Sequence, residues 1–119
     1  GFAMISTYCA SKFAVTGMTQ AVSGEFARFG ATVNAVCPSS VAETGMGKKV
    51  ADQKVKMYKE LGFSKGDLET IFKEGAEFFP LKRLGTVKDV VSVIMYLISE
   101  NASWITGESV NIDGGSLAG

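Results

Sequence analysis

The feature that most constrains this fold is a long amphipathic helix that leads into a short, almost entirely apolar strand. Residues 8–29 carry apolar side chains at spacings of one, three and four, which predicts one helix. Ser6 and Thr7 are suitable N-caps for it, and Gly30 is a suitable stop. Residues 31–37 then form a nearly continuous apolar run, typical of a strand covered on both faces. A helix that feeds such a strand is half of a βαβ unit, so we expect a parallel α/β sheet.

The stretch from about 45 to 80 differs from its surroundings because it is rich in Lys, Glu and Asp. Its apolar residues recur at helical spacing, which predicts two short helices over 46–61 and 67–78. Ser64 followed by Asp67 resembles a capping box for the second helix. Lids and substrate loops are commonly charged insertions between core elements, so we expect a two-helix substrate lid here.

The last third of the chain predicts one more helix and one more strand. Residues 86–99 have a wide apolar face, and Thr86 with Asp89 forms a capping-box pattern at the start. Residues 109–112 form a short apolar strand, and the Asp-Gly-Gly run over 113–115 ends it with turn residues.

The composition excludes several classes of site and partner. The chain has no histidine, which rules out Ser-His-Asp catalysis and His-ligated metals within it. Its two cysteines, Cys9 and Cys37, are too few for a four-cysteine zinc site, so we expect no metal and reduced thiols. Twelve basic and 12 acidic residues give no net charge, which argues against nucleic acid or a membrane surface as a partner. Two cysteines without a secretory leader predict a cytoplasmic protein, and no apolar run is long enough to cross a membrane.

A tyrosine and a lysine four residues apart are the main candidates for chemistry. Tyr8 and Lys12 lie one helical turn apart on the same face. The pKa of a free phenol is about 10, and a nearby ammonium favours the phenolate and lowers that pKa. The pair is therefore a candidate proton donor and acceptor near neutral pH. Taken alone, the spacing is more typical of a surface lysine that stacks its stem beside a half-buried tyrosine.

Four motifs stand in a fixed order along the chain. Residues 8–15 read Tyr-Cys-Ala-Ser-Lys-Phe-Ala-Val, residues 33–38 read Val-Asn-Ala-Val-Cys-Pro, residues 80–85 read Pro-Leu-Lys-Arg-Leu-Gly, and residues 105–115 contain Thr-Gly and end in Asp-Gly-Gly. In this order they resemble the short-chain dehydrogenase/reductase family. The resemblance implies a Rossmann-type, doubly wound parallel sheet.

The same resemblance implies that residues 1–119 form the C-terminal half of a single Rossmann-type domain. The family's Gly-rich phosphate-binding turn, its catalytic serine and its catalytic asparagine lie before the tyrosine helix, and this chain lacks them. The chain starts with Gly1 rather than Met, and we expect its true N-terminus to lie upstream. We also expect this fragment alone to be inactive.

The resemblance gives roles to individual residues. Tyr8 would be the general acid in ketone reduction and the general base in alcohol oxidation, and Lys12 would lower the phenol pKa and bind the nicotinamide ribose. The cofactor would be NAD or NADP, which carries the hydride. Pro38, Val41 and Thr44 would bind the nicotinamide end of that cofactor.

Two departures from the family pattern affect that last assignment. Ser39 stands where the family has a glycine, so a serine must make a turn that often uses unusual backbone angles. Thr44 falls one residue late, with Glu43 in the usual place of the threonine. On the apolar side of the charged insertion, Met46 and Tyr58 are the residues that we expect to bind substrate.

The function that the resemblance implies is an NAD(P)-dependent oxidoreductase (EC 1.1.1.-) that interconverts a secondary alcohol and a ketone, as a homo-oligomer (tetramer or dimer). The alternative is a Rossmann-like protein without catalysis that serves in binding, regulation or oligomerisation. The retained Tyr8 and Lys12 favour the enzyme. A Gly-rich turn and a serine upstream of Tyr8 would distinguish the two.

Overall fold

A computed structural model describes residues 5–42, 44–60 and 67–117, without the side chain of Tyr58. A short 3₁₀ turn at Glu100–Ala102 precedes the last strand. The helices and strands follow in the order α1 (Ser6–Ala27), β1 (Ala35–Pro38), α2 (Gly45–Glu60), α3 (Leu68–Glu77), α4 (Val87–Leu97) and β2 (Ser109–Ile112). None of the described helices is both long and apolar enough to span a membrane.

Helix α1 begins earlier than its sequence predicts. Ile5 is its N-cap and makes no side-chain cap bond, so the prediction of Ser6 or Thr7 as N-cap is wrong. The physical reason is that Ser6 and Thr7 already have helical backbone conformation, whereas a capping residue lies just outside the helix. The stop is confirmed, because Gly30 has a left-handed backbone (φ 70°) and its N–H bonds the Ala27 carbonyl oxygen at 3.0 Å.

The buried face of α1 carries small hydroxyl residues rather than the apolar residues of the helical pattern. Thr19 and Ser23 are its buried members, whereas Phe13 and Met18 are 68% and 61% exposed. A Cβ added to Gly107 would lie 2.8 Å from the Ser23 Oγ atom. Small side chains allow this close approach, and both hydroxyls donate to carbonyls of their own helix at 2.9 and 2.8 Å.

The two helices predicted in the charged stretch are confirmed to within one residue at each end. The predicted cap of the second helix is not. Asp67 itself is the N-cap of α3, with extended backbone angles, and its carboxylate accepts a hydrogen bond from the Thr70 N–H at 2.7 Å. That bond holds the pKa of Asp67 below its ordinary value. The predicted capping box from Ser64 is therefore wrong for Asp67, because a box would put Asp67 inside the helix. Ser64 lies outside the described residues.

The capping box of α4 is confirmed. The Thr86 hydroxyl accepts from the Asp89 N–H at 3.2 Å, and the Asp89 carboxylate accepts from the Thr86 N–H at 2.8 Å. The same carboxylate accepts two bonds from the Arg83 guanidinium, at 2.7 and 2.9 Å. The helix ends at Leu97, two residues before its predicted end, and the 3₁₀ turn follows from Glu100.

The described residues form two compact units, of which the first runs up to Cys37 and resumes from Ser92 to Val110. The second consists of residues 38–91 and the chain after Val110. Strands β1 and β2 form a two-stranded sheet.

The hydrogen bonds of this sheet advance in the same direction along both strands. In the first unit the Ala35 N–H donates to the Glu108 carbonyl at 2.8 Å, and in the second the Ser39 N–H donates to the Ile112 carbonyl at 3.1 Å. The predicted parallel pairing is therefore confirmed.

Strand β1 begins at Ala35 rather than at residue 31 and ends at Pro38, one residue later than predicted. The Val33 N–H donates to the Thr106 hydroxyl at 3.0 Å rather than to a backbone carbonyl. The Asn34 side chain donates to the Ile105 carbonyl at 2.8 Å and accepts from the Glu108 N–H at 3.1 Å. The Asn34 amide therefore fixes the register at which β2 begins.

The buried apolar residues of the second unit are contributed by separate elements. Val41 follows β1, Ala51 lies on α2, Ile71 lies on α3 and Phe79 follows α3. Helices α2 and α3 contact each other and each buries an apolar residue, which stabilises both because short helices are stable only when packed.

We expect Asn34→Asp to destabilise the first unit. The carboxylate keeps an acceptor for the Glu108 N–H but loses the donor to the Ile105 carbonyl, and it places negative charge against that oxygen. The free energy of unfolding should fall by about 1–3 kcal/mol, the usual cost of leaving such a group unpaired. Urea unfolding followed by circular dichroism measures it, with Asn101→Asp as the control. Equal unfolding of the two variants would contradict the bridging role of Asn34.

We expect the contribution of Asp89 to stability to depend on pH. Its pKa lies well below the usual 3.8 because Arg83 and then Thr86 donate to its carboxylate. A depressed folded-state pKa stabilises the fold above the unfolded pKa, and that contribution disappears as the pH falls through the folded pKa. The urea midpoint of Asp89→Asn should therefore lie below that of wild type at pH 7, and the difference should shrink below about pH 4. A difference that stays constant between about pH 7 and pH 3, or one matched by Asp52→Asn, would contradict this.

Candidate active site

The two residues with the strongest sequence signal meet near the start of α1. The Lys12 Nζ atom lies over the Tyr8 ring, 5.4 Å from its centroid. The Tyr8 side chain is 53% exposed, so its hydroxyl is accessible to a ligand. The ammonium is attracted to the negative face of the ring, and the helix turn supplies the spacing.

Both polar groups of this pair are available for a ligand. Among the residues that the structure describes, neither the Tyr8 hydroxyl nor the Lys12 ammonium has a hydrogen-bond or ion-pair partner. An ammonium offers three donors, and a phenol can donate or accept a proton. The pair can therefore bind vicinal hydroxyls and move a proton, and the stacked geometry also agrees with the surface-stacking alternative.

The segment that follows β1 carries the other three candidates for cofactor binding. Pro38 is the last residue of β1, and Val41 is buried after it. The Thr44 hydroxyl donates to the Val41 carbonyl at 3.0 Å and accepts from the Gly47 N–H at 3.0 Å. A hydroxyl has one donor and two acceptor positions, so one acceptor on Thr44 remains for a ligand.

The serine that replaces the family's glycine makes its turn without strain. Among the described residues, Lys82 is the one non-glycine with a positive φ, so Ser39 does not need a glycine's conformational freedom. Glu43, which stands in the usual place of the family's threonine, lies outside the described residues.

The available groups match the chemistry of a nicotinamide nucleoside. Ribose hydroxyls need donors such as the Lys12 ammonium, and a carboxamide N–H needs an acceptor such as the Thr44 hydroxyl. Tyr8 and Lys12 belong to the first unit, and Val41 and Thr44 belong to the second. The structure thus brings the candidates together in two pairs, each within its own unit.

The two candidates for substrate binding lie on α2. The Met46 side chain, in the first turn, is 72% exposed. The backbone of Tyr58 lies near the end of the helix, and its side chain lies outside the described residues. The Met46 side chain is therefore accessible to a ligand.

A shallow depression of about 310 Å³ lies in the second unit, where β1 and β2 end. Ligands of parallel α/β sheets bind outside the carboxyl ends of the strands. The charged groups in its lining are already paired: Arg83 binds Asp89, which raises the pKa of the guanidinium. The Asp113 carboxylate accepts from the Gly115 N–H at 3.0 Å, and its pKa is lowered.

Sequence reasoning missed two features of the second unit. The Arg83–Asp89 ion pair joins the turn before α4 to its first helical turn, and its signal is an Arg six residues before a capping Asp. Gly47 approaches the Val41 carbonyl closely, and its only signal is the Gly-Met-Gly sequence at the start of α2.

Comparison with known proteins places the chain among oxidoreductases. A family model described as enoyl-(acyl carrier protein) reductase matches residues 1–116. The L-2,3-butanediol dehydrogenase of Corynebacterium glutamicum is 37% identical over 118 residues, which are 98% of this chain and 43% of that protein. An inactive 2-(S)-hydroxypropyl-CoM dehydrogenase 2 of Xanthobacter autotrophicus (strain ATCC BAA-1158 / Py2) is 32% identical over 99% of this chain and 46% of that protein.

The fold agrees with these sequence relatives. A crystal structure of a variant actinorhodin polyketide ketoreductase with NADPH superposes on this chain with a TM-score of 0.81 at 34% identity. The superposition covers 98% of this chain and 42% of the ketoreductase chain. The chain therefore spans less than half the length of these relatives.

Proposed function

The chain belongs to the short-chain dehydrogenase/reductase family, and from this membership we propose that it is the C-terminal part of an NAD(P)-dependent oxidoreductase that interconverts a secondary alcohol and a ketone. The family and its Rossmann-type α/β fold confirm what the motifs predicted. The observation that carries the proposed activity is the stacked Tyr8–Lys12 pair with both polar groups unengaged within the described residues.

Tyr8 is the proton carrier in this proposal. Its exposed phenol gives a proton to the oxygen of a ketone during reduction and takes it back during alcohol oxidation. Lys12 stands one turn away, and its ammonium lies over the phenol ring with no described carboxylate as an ion-pair partner. A bound nicotinamide supplies the hydride.

The segment after β1 orients the cofactor in this proposal. Val41 and Thr44 would hold the nicotinamide end, Thr44 through the acceptor position that its hydroxyl keeps beside its bonds to Val41 and Gly47, and Pro38 limits the path of the chain between β1 and these residues. The Lys12 ammonium also donates to the ribose hydroxyls. Both NAD and NADP agree with these contacts, because none of them involves the adenosine end.

Helices α2 and α3 form the substrate lid in this proposal, with Met46 and Tyr58 as its substrate-binding residues. Three observations support this lid: the charged composition of the stretch, its position in the chain between two strands of the sheet, and the exposed Met46 side chain. The substrate is a small molecule with a secondary hydroxyl or a keto group, and the complete enzyme is a homo-oligomer.

A second candidate is a family member without catalysis, used for binding or oligomerisation. The observation that favours it is the relative from Xanthobacter, which is named inactive and matches 99% of this chain. The two candidates differ in the behaviour of the complete reading frame: the enzyme turns over and depends on Tyr8, whereas the inactive protein binds without turnover.

We expect Tyr8→Phe in the complete enzyme to lower turnover by about 10²–10⁴-fold, the usual contribution of general acid–base catalysis. Cofactor affinity should stay nearly unchanged, because the substitution removes one hydroxyl and little volume. Steady-state rates and cofactor fluorescence titration measure the two effects. Tyr96→Phe on α4 is the matched control and should retain turnover. A Tyr8→Phe rate within about threefold of wild type would refute the assignment.

We expect Lys12→Met to lower turnover and weaken cofactor binding together, because one ammonium serves both roles. The substitution removes the positive charge that lies over the Tyr8 ring, so steady-state turnover should fall. The cofactor dissociation constant should rise in the same variant. Lys88→Met, on the exposed side of α4, controls for loss of a charge. If neither quantity changes, Lys12 is a surface charge that stacks on Tyr8.

A further inference from the structure

A glycine at the start of α2 fixes the path of the segment that follows β1. We propose that Gly47 is a positioning residue, whose lack of a side chain lets α2 seat against the Val41 carbonyl and hold Val41 and Thr44 in a cofactor-binding arrangement. This inference rests on the proposed function, because it gives Val41 and Thr44 the cofactor role assigned there.

The contact at Gly47 leaves no room for a side chain. A Cβ added there would collide with the Val41 carbonyl oxygen and would also lie 3.2 Å from the Val41 carbonyl carbon and 3.3 Å from the Ala42 oxygen. These are backbone atoms, which cannot rotate away as the end of a flexible side chain can. Any other residue at this position must therefore move α2 or the segment around Val41.

The other side of the same segment is also held by backbone. Gly85 forms a parallel bridge to Val41: its N–H donates to the Ser40 carbonyl at 2.9 Å, and its carbonyl accepts from the Ala42 N–H at 3.4 Å. A Cβ on Gly85 would lie 3.2 Å from the Ser40 oxygen. The segment from Ser40 to Ala42 therefore lies between two backbones and cannot yield toward Gly85 when α2 is pushed against it.

Hydrogen bonds join the two sides of the Gly47 contact. The Gly47 N–H donates to the Thr44 hydroxyl, and that hydroxyl donates to the Val41 carbonyl, each at 3.0 Å. The Lys48 N–H donates to the Thr44 carbonyl at 2.9 Å. Displacing Gly47 therefore changes the orientation of the Thr44 hydroxyl as well as the position of Val41.

The chain offers a matched control two residues away. Gly45 lies in the same first turn of α2, and a Cβ added there would have no atom within 4 Å beyond its own neighbours. Alanine favours a helix over glycine at both positions, so the change in helix propensity is common to Gly45→Ala and Gly47→Ala. A difference between the two variants then reports the contact with Val41.

The test compares binding of the whole cofactor with binding of its adenosine half. In the complete enzyme, fluorescence titration gives the affinity for NADH or NADPH, whichever wild type binds more tightly. Calorimetry gives the affinity for ADP-ribose, or for its 2′-phosphate when NADPH is preferred. ADP-ribose lacks the nicotinamide, so it does not use the segment around Val41. Thermal unfolding of each variant is measured alongside.

We expect Gly47→Ala to weaken binding of the reduced cofactor by about tenfold or more, with ADP-ribose binding within about twofold of wild type. Gly45→Ala should bind both ligands as wild type does. Unchanged cofactor binding in Gly47→Ala, or equal losses for cofactor and ADP-ribose, would overturn the positioning role. If wild type binds neither ligand, the proposed function fails and the inference falls with it.

If Gly47→Ala does not fold, hydrogen exchange in wild type decides. The Gly47 and Lys48 amides both bond Thr44, so slow exchange in the cofactor-free enzyme supports a segment that is fixed before the cofactor binds. Exchange at those amides that is fast without cofactor and slow with it would overturn the inference, because the arrangement would then be made by the cofactor.

Discussion

Close approach of backbone to backbone is the constraint on which the described structure depends. In the second unit the Val41 segment is contacted by the backbones of Gly47 and Gly85, and neither contact tolerates an ordinary side chain without displacement. In the first unit a small side chain makes the close contact instead: Ser23 approaches the turn at Gly107, and its hydroxyl bonds its own helix. These contacts bring polar backbone into the interior, and hydrogen bonds satisfy it.

The elements that the sequence predicts well are those that local chemistry determines. The Thr86–Asp89 capping box, the stop at Gly30 and the turn after β2 each need only residues a few positions apart, and all three are present. The start of α1 and its buried face are not local in this sense. Which side of a helix is covered depends on what reaches it, and Gly107 reaches Ser23 rather than the apolar residues.

The candidate site divides in the same way. An α-helix puts residues four apart on one face, so the proximity of Tyr8 and Lys12 could be predicted from their spacing. The bonds of the Thr44 hydroxyl could not, because they require Val41 and Gly47 to converge on it from different backbone conformations. The ion pair between Arg83 and Asp89 likewise depends on the conformation of the turn between them, and hydrophobic periodicity does not predict that conformation.

The position of Thr44, one residue later than in the family pattern, has a physical consequence in this chain. At that position its hydroxyl accepts from the Gly47 N–H in the way an N-cap accepts from the third residue of a helix, and it still reaches the Val41 carbonyl. One side chain thus ends the segment after β1 and begins α2. A displacement of α2 is therefore transmitted to Val41 through one hydroxyl and one close contact, and this links the proposed substrate lid to the proposed cofactor site.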